Sequence, residues 1–148
     1  NLIINGFAEC LPYKSSRMEL VHNKPDPYGI PQVKFHFDWG VNEKNMTHDI
    51  LKKAADMLDL IGAQDIQAFD NGSVGGEGIH EMGTARMGHS PDDSILNKWN
   101  QVHEVPNVFV TDGSCMTSSS CVNPSLTYMA WTARAVDYAV NKLRSGNL

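Results

Sequence analysis

A chain of 148 residues, 41% hydrophobic and 20% charged, has the make-up of an ordinary globular protein and is long enough to bury roughly 70% of the surface its unfolded form exposes. A net charge of -5, with Lys and Arg thinly spread, argues against a nucleic-acid face, which needs clustered cations to displace counterions, and no stretch approaches the roughly 20 apolar residues of a bilayer span. Three cysteines, Cys10, Cys115 and Cys121, are odd in number and lack paired spacing, so they suggest neither a disulfide framework nor a zinc site, and buried free thiols are expected.

In chain order, Asn1 to Leu11 is apolar enough for a strand, and Arg17 to Val21 alternates as a half-buried strand does. The prolines and glycine between His22 and Pro31 punctuate a loop or hairpin connection. Gln32 to Trp39 sets Val33, Phe35, Phe37 and Trp39 on one side and Lys34, His36 and Asp38 on the other, which predicts a strand. Asn42 is the expected N-cap of a helix in which Met46, Ile50, Ala54, Met57, Leu58 and Ile61 recur at helical steps until Gly62 stops it, a helix suited to cover one face of the sheet. Gln64 to Phe69 suggests a further strand, and the glycines from Asn71 to Gly78 a loop.

Asn107 to Ser114 reads as a buried strand ending in Asp112 and Gly113. From Asn123 onward the period is helical again, with Asn123 as N-cap, Pro124 as first helical residue, and Leu126, Met129, Ala130, Ala133, Val136, Val140 and Leu143 on one apolar stripe. The chain opens on Asn1, with no basic start or apolar signal core, the pattern expected of a piece of a longer protein.

Two segments carry chemistry. Oxidising an alcohol requires that a hydride leave carbon and a proton leave oxygen, so a base is needed; a histidine side chain can accept a proton through one ring nitrogen while donating through the other, which makes His80 the candidate for that role. The amide of Asn123 can donate to the same oxygen and orient it. Neither side chain accepts a hydride, which implies a cofactor, and a helix start at Asn123 to Leu126 would favour negative charge on it. His80-Glu81 begins like a zinc-protease motif, but Thr84 stands where its second histidine belongs, so no metal site is expected. Gly113-Ser114 lacks the Gly-x-Ser-x-Gly elbow of a serine hydrolase. Arg86 is expected to orient its loop through a carboxylate such as Glu81.

The pattern His-x-x-Gly-Thr-x-Arg-Met-Gly (His80, Gly83, Thr84, Arg86, Met87, Gly88), the strand followed by Asp112-Gly113-Ser114, and Asn-Pro-x-x-Thr-x-Met-Ala (Asn123, Pro124, Thr127, Met129, Ala130) together resemble the C-terminal signature of the glucose-methanol-choline (GMC) flavin oxidoreductases. The resemblance spans about Ile79 to Leu143. It implies that His80 is the catalytic acid/base, that Asn123 is the second active-site position, and that Asp112, Gly113, Asn123, Pro124 and Thr127 contact FAD. The Gly-x-Gly-x-x-Gly fingerprint that holds the FAD pyrophosphate is absent, so the resemblance implies a C-terminal part whose FAD-binding portion lies elsewhere in the protein.

The expected architecture is α/β of the α+β kind: a mixed or antiparallel sheet with helices on one face, then a strand-loop-helix returning to the missing FAD-binding domain. Residues 1–78 are expected to form the substrate-binding sheet and helix, and 79–148 the segment completing the active site. The expected activity is oxidation of a CH–OH group of a sugar, polyol or related alcohol, with electrons passing to oxygen, a quinone or an acceptor protein. A soluble location, cytoplasmic or periplasmic, is expected. The competing reading is a non-catalytic module that binds a carbohydrate or a protein.

Overall fold

The computed structural model describes residues 2–148, and its first regular element is an antiparallel hairpin of β1 (Arg17–Pro25) and β2 (Pro31–His36). Arg17 pairs with His36 and Val21 with Gln32, and the register becomes irregular between Val21 and Pro25. The turn is built by Asp26, whose Oδ1 accepts from the Tyr28 and Ile30 amides at 2.8 and 2.9 Å, while Gly29 takes a φ of 82° that a side chain would resist. On one side of the hairpin Glu19 collects His36 Nε2 at 2.9 Å, and Lys34 and Arg17 at 3.6 Å.

β2 ends at His36 rather than Trp39 because the two aromatic residues beyond it turn to other partners. Phe37 and Trp39 meet edge to face at 4.8 Å. Trp39 Nε1 donates to the Ser73 carbonyl at 3.1 Å, and Gly75 lies against the Phe37 ring, where no side chain would fit. The expected larger sheet covered by helices is replaced, among the described residues, by this two-stranded hairpin, with which α1 makes no extensive contact. Phe35, at 69% exposure, shows how open the hairpin face is.

Helix α1 (Val41–Leu60) starts two residues earlier than its sequence suggests, with Gly40 rather than Asn42 at the cap. Its first-turn Glu43 is buried and accepts from the Leu11 amide at 2.9 Å and the Tyr13 hydroxyl at 3.0 Å, an acidic group well placed at the positive end of the helix. Residues 2–11 form no strand: the Leu11 N–H goes to a carboxylate, and Leu2, Ile3 and Phe7 stay exposed. Asn1, where the expected strand began, lies outside the described residues. Residues 64–69 also lack strand pairing.

The pH dependence of this region follows from two carboxylates. The hydrogen bond from His36 holds Glu19 below the usual carboxylate range. Burial alone would raise Glu43, but the donors at Leu11 and Tyr13 outweigh it and leave its pKa lowered. Both groups are depressed in the folded state, so their contribution is complete above the unfolded value of about 4.3 and is lost as pH falls through the lower folded values. The melting temperature of the chain is expected to drop below about pH 4, and Glu43→Gln to flatten that acid limb. An acid limb unchanged in the variant would assign the effect to other groups.

Cα proximity groups the chain into two compact units, one running to Gly78 and the other spanning Ile79–Leu148. The second has a small core of Leu96, Cys115 and Ala135 with the buried polar Asn100 and Gln101. Isolated bridges, Met87 with Leu96, Leu96 with Val102 and Gln101 with Phe109, tie its loops together. The strand expected over 107–114 is reduced to the single bridge at Phe109, because no neighbour offers it a longer ladder. Asp112–Cys115 instead closes a 3-10 turn. Of the three cysteines only Cys115 is buried; Cys10 is half-buried and Cys121 exposed, and all are free thiols.

Helix α2 (Ser125–Arg144) buries a different face from the aliphatic stripe in its sequence. Tyr128, Trp131, Arg134, Ala135 and Tyr138 turn inward, whereas Leu126 is 78% and Met129 68% exposed. At 3.6 residues per turn the two stripes lie about half a turn apart. The inward face is held by aromatic contacts: Trp99 stacks on Tyr138 at 4.7 Å, and the Arg134 guanidinium sits 4.2 Å over the Trp131 ring. Arg134 also donates to the Lys98 carbonyl and to Asn100 Oδ1.

Candidate functional site

The second unit contains every residue singled out for chemistry. His80 is exposed, in a segment without regular structure, and follows Ile79 at φ 65°. A β-branched residue in the left-handed region costs on the order of 1–3 kcal/mol, and such outliers concentrate where a segment has a task beyond packing. Two residues later the chain packs tightly. The Ala85 amide donates to the Ser114 carbonyl and the Met87 amide to the Cys115 carbonyl, both at 3.0 Å, so the His80 segment is laced to the Asp112–Cys115 turn.

That turn is self-contained. Asp112 Oδ1 accepts from the Ser114 amide at 2.9 Å and from the Ser114 hydroxyl, which closes the turn on itself. Gly113 stands at the crossing of all three motif segments: a Cβ there would lie 2.8 Å from Tyr128 Oη and 3.0 Å from both the Glu81 carbonyl and Met82 Sδ. The family resemblance implies a cofactor contact at Gly113; in this fold its missing side chain is what lets α2 approach.

Asn123 is exposed and lies just outside α2. The N-cap is Pro124, buried, not Asn123, and no side chain caps the helix start. The difference is one residue, yet it matters chemically, since an amide spent on capping could not serve a substrate. The first-turn N–H groups, which an α-helix leaves without internal partners, thus receive no acceptor from the side chain of the cap residue itself. Thr127 is exposed in that first turn and lines, with Leu126, Ala130, Trp131 and Arg134, a shallow depression of about 350 Å³.

Arg86 plays a structural part with a partner other than Glu81: it donates to the Asp93 carbonyl. Three residues carry more of the arrangement than their sequence positions advertise. Tyr128 donates from Oη to Met82 Sδ at 3.6 Å, joining the helix start to the His80 segment. Arg134 ties α2 to Lys98 and Asn100. Asn100, fully buried at φ 63°, donates to the Val110 carbonyl at 3.0 Å. The position of Tyr128 one turn after Pro124 was the available signal; for Asn100 and Arg134 none stands out locally.

Residues 12–132 match the family model described as GMC oxidoreductase. The chain is 34% identical over 139 residues to a 2-methyl-1,2-propanediol dehydrogenase of Mycolicibacterium austroafricanum, covering 93% of this chain and 25% of that protein. It is 30% identical over 138 residues to the fructose dehydrogenase large subunit of Gluconobacter japonicus, again with 93% and 25% coverage. The gluconate 2-dehydrogenase flavoprotein of Pantoea cypripedii is 29% identical, over 84% of this chain and 22% of its own length. The chain thus spans about a quarter of the length of these relatives.

Proposed function

The chain belongs to the GMC oxidoreductase family, and from that premise we propose that it is the C-terminal part of an FAD enzyme that oxidises a CH–OH group of a sugar, polyol or related alcohol. The observation that carries this reading is the interlock of the three motif segments around Gly113. The named activities of the relatives, on a diol, fructose and gluconate, support a polyhydroxylated substrate. Electrons would pass on to oxygen, a quinone or an acceptor protein.

The residues present fit the cofactor. An uncapped helix start at Pro124–Thr127 offers N–H groups and a positive dipole end to an acceptor-rich edge, and Asp112, Gly113, Asn123, Pro124 and Thr127 are the positions we assign to it. FAD, when bound, supplies the acceptor for the hydride that leaves the substrate carbon. His80 takes the hydroxyl proton on a ring nitrogen, so the C–O bond becomes a carbonyl as the C–H electron pair departs. Asn123 donates its amide N–H to the same oxygen and holds the carbinol in line. The outward aliphatic stripe of α2, with Leu126, Met129, Val136 and Leu143 all more than half exposed, supports a helix designed to be covered on both sides, here by the FAD-binding part of the same protein. The first unit is assigned to substrate binding.

A second reading, a carbohydrate-binding module, draws on a depression of about 380 Å³ on the hairpin, lined by Ser15, Arg17, Phe35, His36, Phe37 and Asp38, which combines aromatic faces with polar groups. The two are separated by purifying the full-length protein. A flavin absorption band that bleaches anaerobically on addition of a sugar or polyol is the result expected. A flavin-free protein whose residues 1–148 alone retain carbohydrate binding would favour the module.

Among the described residues no helix is long and apolar enough to cross a membrane.

A further inference from the structure

Resting on the assignment of His80 and Asn123 just given, we propose that Tyr128 is a positioning residue, its hydroxyl wedged between Gly113 and the Met82 sulfur so as to set the gap between the His80 segment and the start of α2. The hydroxyl lies 3.6 Å from Met82 Sδ, and the open side of Gly113 faces Tyr128 Oη, the Glu81 carbonyl and Met82 Sδ, all within 3.0 Å of where a Cβ would sit. Groups from three separate motif segments crowd one point.

Two of those segments have no need of Tyr128. The backbone bonds from Ala85 to Ser114 and from Met87 to Cys115 already fix the His80 segment against the Asp112 turn. At the start of α2 the N-cap residue, Pro124, makes no side-chain cap bond, and Arg134, which ties the helix to Lys98 and Asn100, lies about two turns further along. Tyr128 thus bears directly on how the first turn, and Asn123 just before it, stands relative to Met82 and the His80 segment. A thioether is a weak acceptor, so the contact contributes more to distance than to stability. Burial, with the charge of Asp112 nearby, pushes the Tyr128 pKa up and keeps the hydroxyl a donor.

The test uses the full-length flavoenzyme. Tyr128→Phe is expected to slow flavin reduction about fivefold, the cost of a small misplacement of the reacting groups rather than of a lost strong bond, with KM and flavin content unchanged. Gly113→Ala is expected to cost more. Adding Tyr128→Phe to it should recover part of the rate, because the atom nearest the new methyl is gone. Hydrogen exchange gives a readout independent of turnover: Tyr128→Phe should loosen Ile79–Met82 and leave the Ala85 and Met87 amides protected. An unchanged rate in Tyr128→Phe, multiplying losses in the double variant, or a uniform rise in exchange across the unit each overturns the proposal. Undiminished flavin reduction in His80→Ala would instead sink the catalytic assignment, while the exchange pattern still judges Tyr128.

Discussion

Replacing His80 by Ala in the full-length enzyme is expected to slow flavin reduction by a factor on the order of 10²–10⁴, the usual worth of a positioned base, with flavin content retained. The structure makes this a clean experiment. His80 is exposed and precedes the residues that do the packing, Met82, Ala85 and Met87, so truncating it removes a proton acceptor without opening a cavity. A rate loss of that size in a protein with normal flavin absorbance and an unchanged melting temperature would assign the effect to proton transfer. Parallel loss of flavin and rate would make the residue a scaffold element and leave the reaction without its base.

Asn100→Ala is expected to produce a large stability loss in the second unit, about 3 kcal/mol: roughly 1 kcal/mol for each of two buried hydrogen bonds and about 1 kcal/mol for a left-handed backbone. The side chain donates to the Val110 carbonyl at 3.0 Å and accepts from Arg134 at 3.1 Å, and the residue sits fully buried at φ 63°. Its removal therefore weakens the link between the Lys98–Gln101 turn, the Phe109 segment and α2, leaving the Arg134–Lys98 bond and the Gln101–Phe109 bridge to hold it. Against a total stability of about 5–15 kcal/mol for a typical domain, and with so few fully buried side chains in this unit, that loss is decisive. Asn100→Gly separates the parts, because glycine tolerates the positive φ but makes no side-chain bond; it should fall between the native chain and the alanine variant. Urea unfolding followed by the fluorescence of Trp99 and Trp131 measures the order. Equal stability of the two variants would remove the backbone share of the argument.

The hairpin and both helices were legible in the sequence because each carries its own period, two residues for Arg17 to Val21 and Gln32 to His36, and near 3.6 for the helices. What periodicity lacks is knowledge of partners. Residues 2–11, 64–69 and 107–114 have strand-like composition, yet a strand exists only beside another, and Leu11 spends its amide on Glu43 while the 107–114 segment finds one bridge at Phe109. On α2 the aliphatic stripe outranked the aromatic one by hydrophobicity alone. The second unit chose the face whose rings stack with Trp99 and shelter Arg134. The chemistry-bearing motifs were visible as residue patterns, but their joint at Gly113, Met82 and Tyr128 is a tertiary contact between positions far apart in the chain. No local rule announces such a meeting point.

The outward aliphatic row of α2 has a practical corollary for anyone handling this polypeptide. Leu126, Met129, Val136 and Leu143 are where residues 1–148 produced alone are expected to self-associate, so, under the function proposed above, co-expression with the FAD-binding part, rather than surface mutagenesis of the row, is the sound route to crystals. Engineers seeking solubility would do better to recolour α1 and the loops.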